Sequence, residues 1–214
     1  MLKIGITGGI GTGKSMVCRL FELLQIPVYD SDLRAKHVMA FNPVLKQELI
    51  SAFGPETFNA QGLNRVYLGS LVFPDPEKLA KLNALVHPHV KQDFIDWAAA
   101  QKAPYVIKEA ALMFETEAYR QVDQMITVFA PLEIRLQRLK KRDTHRSEAD
   151  ILHIIGKQLP EEEKIKRADH VVYNDDSQLL IPQVLKLHEQ FLQQVSGSKG
   201  QGLSPENARN ELAE

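Results

Sequence analysis

Gly8-Gly9-Ile10-Gly11-Thr12-Gly13-Lys14-Ser15 follows a short apolar run, Leu2 to Thr7, and opens an amphipathic segment carrying Val17, Leu20, Phe21 and Leu24. Glycine, four residues, glycine, lysine and serine, set between a strand and a helix, is the P-loop pattern. Backbone N–H groups can wrap a phosphate chain only where the loop turns tightly and presents no Cβ, and glycines at 8, 9, 11 and 13 allow that. The helix that follows begins with unpaired N–H groups and a positive dipole end, which favour an anion. Lys14 is therefore expected to reach the β- and γ-phosphates and the Ser15 hydroxyl to bind Mg2+. A glycine-rich turn that binds nothing would leave the Lys-Ser pair without a role. The expected nucleotide contacts are Gly9, Gly11, Thr12, Gly13, Lys14, Ser15 and Met16.

The rest of the chain is the size such a domain needs. Its 214 residues can bury a sizeable core and suit one α/β domain with room for an insertion. With 26 Lys and Arg against 27 Asp and Glu, the net charge of −1 gives no long-range field, so neither a nucleic-acid nor a membrane partner is expected. A single cysteine, Cys18, excludes an internal disulfide and reads as a small packed hydrophobe in the first helix. No apolar run approaches membrane-span length and no signal-peptide layout opens the chain, so a cytoplasmic location is expected. Nothing points to an obligatory protein partner.

Downstream, Gln25 to Asp32 reads as a second strand ending in two acids, Asp30 and Asp32. In open α/β sheets the ligand crevice lies beyond the carboxyl ends of the strands. Asp32 is thus a candidate to take a proton from an attacking hydroxyl; alternatively, either acid caps the helix starting near Leu33. Residues 33–100 lack strand-like alternation. Apolar spacing in Val44, Leu45, Leu49, Ile50 and Phe53, and again in Leu79, Leu82, Leu85 and Val86, is helical, with turns at Asn42-Pro43, Gly54-Pro55 and Pro74-Asp75-Pro76. This block reads as a helical insertion covering an acceptor site. Arg65, Asn83 and His87 are its notable polar residues, although His87 before Pro88 also reads as a turn cap.

Tyr105 to Glu109 resumes the sheet, and Glu109 ends its strand where an acid can hold Mg2+ directly or through water. Gln124 to Phe129 is a fourth strand, and Pro131 starts a helix from Leu132 to about Arg142. That helix carries Arg135, Arg138, Lys140, Lys141 and Arg142. Most of these read as a solvated basic face, while Arg142 and Arg146, where the helix ends, read as cations of a lid that closes over the donor. His170 to Asn174 is the last strand; Asn174 either meets an adenine or simply terminates it. Asp175, Asp176 or Ser177 is expected to cap a final helix. Beyond Gln194 the composition turns to Ser, Gly, Glu and Asn, and residues 195–214 read as a disordered tail.

Several of these stretches together resemble the dephospho-CoA kinase family. They are Ile6 to Ser15, Asp30-Ser31-Asp32, Gly62-Leu63-Asn64-Arg65, then Phe73, Asn83, His87 and Pro88, Ala111 to Glu115, Arg142-Asp143, and Ala168 to Asn174. The likeness runs from about residue 3 to about residue 192 and rests on separate motifs in order.

It implies Mg-ATP-dependent phosphorylation of the ribose 3′-hydroxyl of dephospho-CoA to give coenzyme A. The implied fold is a three-layer α/β/α P-loop domain with a parallel sheet, an inserted helical substrate domain and a lid. The core would be residues 1–32, 103–135 and 168–194, the CoA-binding insertion 33–102 and the lid 136–167. By the resemblance, Asp32 matches the family's proposed catalytic acid, Arg65 and His87 match acceptor-domain positions, and Arg142 matches the start of the lid. Two positions depart from the family pattern. Glu109 stands where many members carry Asp, and Ile154 stands where the lid helix usually carries Arg four residues before the Gln matching Gln158, leaving Arg146 or Lys157 to supply that charge.

Two other functions fit parts of the pattern. A kinase for a nucleoside or nucleoside monophosphate would share the P-loop but not the helical block with Arg65 and its His-Pro element. A nucleotide-dependent switch would leave Asp32 and the basic lid unexplained, and the chain has no Asn-Lys-x-Asp guanine element.

Overall fold

The computed structural model describes residues 1–200, with side chains through residue 197. It divides into two compact units, residues 1–28 with 102 onward and residues 29–101.

The first unit is built on a five-stranded sheet. Strands β1 (Leu2–Thr7), β5 (Tyr105–Glu109), β6 (Gln124–Phe129) and β7 (His170–Tyr173) take the order β2-β5-β1-β6-β7, with the short β2 (Val28–Asp30) at one edge. Pairing is parallel, with Ile4 opposite Ile107 and Ile6 opposite both Glu109 and Ile126. Strands buried on both faces need apolar residues at successive positions, and β1, β5 and β6 supply them. Ile4, Ile6, Tyr105, Ile107, Ile126 and Val128 have at most a trace of exposure.

Helices cover this sheet. Val17 and Phe21 of α1 (Lys14–Leu23) and Val184, Leu187 and Phe191 of α9 (Leu180–Gly200) complete the core. Cys18 is buried in this core as a small packed side chain. Helices α6 (Leu132–Arg142), α7 (Glu148–Gly156) and α8 (Glu161–Arg167) occupy the stretch between β6 and β7. Because β1 is central, the loop leaving its carboxyl end lies at the middle of the sheet's upper edge, with strands on both sides.

Three expectations for this unit need correction. Asp175 does not cap α9: it accepts from the N–H and hydroxyl of Ser177, closing a local turn, and the helix starts only at Leu180. Pro131 is the residue before α6 and not within its first turn. Helix α9 continues to Gly200, past the Gln194 at which a tail was expected to begin; the remainder of that tail, 201–214, lies outside the described residues.

The second unit is mainly helical. Helices α2 (Ser31–Phe41), α3 (Pro43–Phe53), α4 (Arg65–Val72) and α5 (Pro76–Ala99) pack around Val38, Leu45, Leu49, Phe53, Leu68, Val72 and Val86. The turns at 42–43, 54–55 and 74–76 fall as read, and Asn42 and Asp75 each accept N–H bonds that open the next helix. Two features were not expected. A two-stranded hairpin, β3 (Phe58–Asn59) with β4 (Gly62–Leu63), interrupts the block. Helix α5 runs through Pro88 for 24 residues, so His87-Pro88 is no turn.

Candidate active site

The P-loop sits at the carboxyl end of β1, and its internal bonds fix its shape. The Thr12 hydroxyl donates to the Gly9 carbonyl at 2.9 Å. Gly13 takes φ +93° as the residue before α1, the left-handed region that a side chain resists. It also has no space for one, since a Cβ there would overlap Asn174 Nδ2. Lys14 Nζ donates to the Gly8 carbonyl at 3.0 Å and stands 4.0 Å from Glu109 Oε1.

A cleft of about 260 Å³ opens on this loop. Ile10, Gly11, Gly13, Lys14 and Ser15 form one wall, Glu109 enters from the end of β5, and Arg138 and Arg142 enter from α6. The two arginines lie four residues apart and so share one helix face. Arg142 is largely exposed and forms a two-point pair with Asp143, Nε to Oδ1 at 2.8 Å and Nη2 to Oδ2 at 3.0 Å. That pair raises the guanidinium pKa and holds the Asp143 carboxyl below the usual carboxylate range. Arg146 stands 3.6 Å from Asp143 Oδ2 and does not line the cleft; Lys157, at the end of α7, does not line it either. Ile154 is half-buried on α7.

Arg138 was not singled out from sequence, yet it borders the cleft. Its Nη2 donates to Asn174 Oδ1 at 3.4 Å and Asp176 Oδ1 at 3.1 Å, and its Nη1 is buried with no hydrogen-bond partner. Asn174, just past β7, donates from Nδ2 to the Thr12 carbonyl at 2.8 Å. It thus ties the last strand to the P-loop backbone. Arg135, read as part of a solvated face, is in fact buried to 4 % exposure against the loop, and burial lowers its pKa. Spacing held the clue: 135, 138 and 142 lie at i, i+3 and i+7, one stripe facing the protein. Met16 is exposed in the first turn of α1.

An oxygen-seeking cation would find suitable donors here. The Ser15 hydroxyl and the half-buried Glu109 carboxylate are hard oxygens of the kind Mg2+ takes one or two of, with water and phosphate filling its other positions. No group of three or more metal-binding side chains occurs among the described residues.

The remaining expected residues belong to the helical unit. Asp30 Oδ1 accepts the Leu33 N–H at 2.9 Å and is the cap of α2. Asp32 lies in the first turn, exposed, and takes no part in the cap. Arg65 opens α4 and is exposed, with Asn64 as its cap. His87 is exposed near the middle of α5, one turn after Asn83 on the same face.

A partly buried network within this unit was not visible in the sequence. Tyr29 donates its hydroxyl to Asp93 Oδ2 at 2.7 Å, and Arg34 binds both carboxylate oxygens of Asp93, Nε to Oδ2 at 2.8 Å. Burial pushes the Asp93 carboxyl up, but the bonds from Arg34 and Tyr29 outweigh it and hold the group below its usual range. Burial, aided by Asp93, pushes the Tyr29 hydroxyl far up. The residues involved lie 59 and 64 positions apart in the chain, so no local pattern announces them.

Comparison with known proteins bears on the family of the chain. A model of the dephospho-CoA kinase family matches residues 2–179. A dephospho-CoA kinase of Bacteroides fragilis (strain YCH46) is 40 % identical over 87 % of this chain and 91 % of its own length. That of Porphyromonas gingivalis (strain ATCC BAA-308 / W83) is 36 % identical over 88 % and 94 %. Among solved structures, TT1252 from Thermus thermophilus superposes with a TM-score of 0.78 at 37 % identity, covering 89 % of this chain and 97 % of that one. The dephospho-CoA kinase from Campylobacter jejuni, at 23 % identity and a TM-score of 0.67, shares the fold. With the family model spanning both units and the P-loop intact, this chain belongs to the dephospho-CoA kinase family.

Proposed function

We propose that this chain transfers the γ-phosphoryl group of Mg-ATP to the ribose 3′-hydroxyl of dephospho-CoA, giving coenzyme A in the cytoplasm. The observation that carries the reading is the cleft itself, where a P-loop lysine, a serine hydroxyl, a strand-end glutamate and two arginines converge in one compact unit.

Lys14 would leave the Gly8 carbonyl for the β- and γ-phosphate oxygens, and the N–H groups of Gly11, Gly13, Lys14 and Ser15 would wrap the phosphate chain, with Asn174 fixing the loop beside them. Ser15 and Glu109 would hold Mg2+, which when bound neutralises charge between the β- and γ-phosphates. Arg142 would leave Asp143 to close over the donor and exclude water, and Arg138 offers a second cation from the same helix face.

In the helical unit, Arg65 and His87 would bind the acceptor. Asp32 would orient the 3′-hydroxyl and take its proton late, as a loose transition state requires. Support for Asp32 comes from the cap of α2, which Asp30 supplies alone, so that Asp32 has no structural task there.

Purified protein with Mg-ATP should release ADP when dephospho-CoA is present, with adenosine and AMP as control acceptors. ADP release dependent on dephospho-CoA is the expected result. Release with AMP or adenosine instead would discard the reading of the helical unit while keeping a P-loop kinase.

A further inference from the structure

Against the P-loop, and not among the residues that line the cleft, lies a cluster of charge that phosphate binding does not explain. Arg135, Glu161 and Lys164 are buried to 4 %, 9 % and 0 % exposure. Glu161 Oε1 takes both cations, Arg135 Nη1 at 3.4 Å and Lys164 Nζ at 3.0 Å. Burying three ionised groups is costly unless the geometry repays it, and hydrophobic residues of equal volume commonly pack there as well or better. The cluster therefore calls for a task other than stability.

Its remaining atoms supply one, because they are spent on the P-loop backbone. Arg135 Nε donates to the Ile10 carbonyl at 2.9 Å. Gln158, in the turn between α7 and α8, accepts the Ile10 N–H at 2.9 Å, and Glu161 Oε2 accepts the Gly9 N–H at 3.4 Å. Both polar groups of Ile10 are thus held from outside the loop, so its two peptide planes cannot rotate freely. Ile10 and Gly11 line the cleft, and neither Arg135 nor Glu161 does.

The approach is close enough to specify glycine. A Cβ on Gly9 would overlap Arg135 Nη2 and Glu161 Oε1, although Gly9 does not take a positive φ. Glu162 adds its charge to that of Glu161 at Arg135, and among the described residues Arg135 Nη2 has no hydrogen-bond partner.

We propose that Arg135, Gln158 and Glu161 are positioning residues that hold Gly9 and Ile10 in the shape the donor triphosphate needs. The proposal rests on reading the cleft as the donor site. It also ties the loop to the base of the lid, because Gln158 lies two residues past the end of α7 and Arg135 shares α6 with Arg138 and Arg142.

The test is calorimetric binding of two probes, the Mg complex of the non-hydrolysable analogue AMP-PNP and, separately, dephospho-CoA. Gln158→Leu removes the acceptor for the Ile10 N–H at a half-buried position while keeping the side chain's bulk. Losing the partner of this partly buried donor is expected to weaken AMP-PNP by about tenfold. Arg135→Gln, which removes the charge and shortens the reach to the Ile10 carbonyl, is expected to weaken it at least as much. Dephospho-CoA affinity should stay within about twofold in both, since the acceptor makes no use of the loop's shape.

A lower melting temperature with unchanged AMP-PNP affinity would make the cluster purely structural and overturn the proposal, as would an equal loss for both probes. Should Arg135→Gln fail to fold, Gln158→Leu carries the test alone. Failure of the parent protein to bind AMP-PNP would overturn the reading of the cleft itself, whereas parent binding with unaffected variants would overturn the brace alone.

Discussion

Two carboxylates stand at the junction of β2 and α2, and the backbone separates their tasks. Asp30 is spent on the Leu33 N–H, and Asp32 is not used by the fold. Asp32→Asn is accordingly expected to lower kcat by about 10²-fold or more, the usual contribution of a positioned acid or base, with AMP-PNP affinity unchanged in the same preparation. Full activity in that variant would remove Asp32 from the mechanism. Gly9→Ala tests the packing behind the loop: forcing a methyl against Arg135 and Glu161 should cost about 1–3 kcal/mol of stability, seen as a lower urea midpoint.

Lys108, on β5, offers a third residue-scale prediction. Burial pushes its ammonium down to about 8. An unfolded lysine titrates near 10.4, so between the two values the unfolded chain binds more protons and stability rises with pH. Below about pH 8 the full burial penalty is present. Lys108→Met should therefore raise the melting temperature at pH 7, and the gain over the parent should shrink as pH climbs toward 10. At this scale the motif residues were legible because glycine, lysine and serine at fixed spacing have few other uses. Arg135 and the Tyr29–Asp93–Arg34 network were not, because a charged side chain ordinarily marks surface, and its burial is decided by partners distant in the chain.

Among the elements, β1, β5, β6 and β7 were readable as short apolar runs, since parallel strands covered on both faces must be apolar throughout. The hairpin of β3 and β4 was missed because two-residue strands carry no alternation to detect. Helix α5 misled for the opposite reason. Proline normally ends a helix by removing a donor and crowding the preceding turn, yet tertiary packing around Val86 and Phe94 carries α5 through Pro88. That local conflict should be measurable. Pro88→Ala is expected to stabilise the protein by up to about 3 kcal/mol, raising the urea midpoint with the slope unchanged. A destabilised variant would show that the proline contributes contacts of its own.

For the whole molecule, the sheet unit and the helical unit each have their own core, and the division of labour proposed here follows them: the donor on the P-loop unit and the acceptor on the helical one. The sequence conveyed this plan through the shift from strand-like runs to a mainly helical block. It could not convey the ties from α6 and the turn before α8 to the P-loop, because those depend on side chains more than 120 residues from the loop in sequence. The central claim concerns one hydroxyl group, and an acceptor lacking it tests that claim most directly. Protein, Mg-ATP and either dephospho-CoA or its 3′-deoxy analogue should be incubated in parallel and the products weighed by mass spectrometry. The account predicts one added phosphoryl group on dephospho-CoA, with a product identical to coenzyme A, and none on the analogue. Phosphorylation of the analogue at a comparable rate would contradict it.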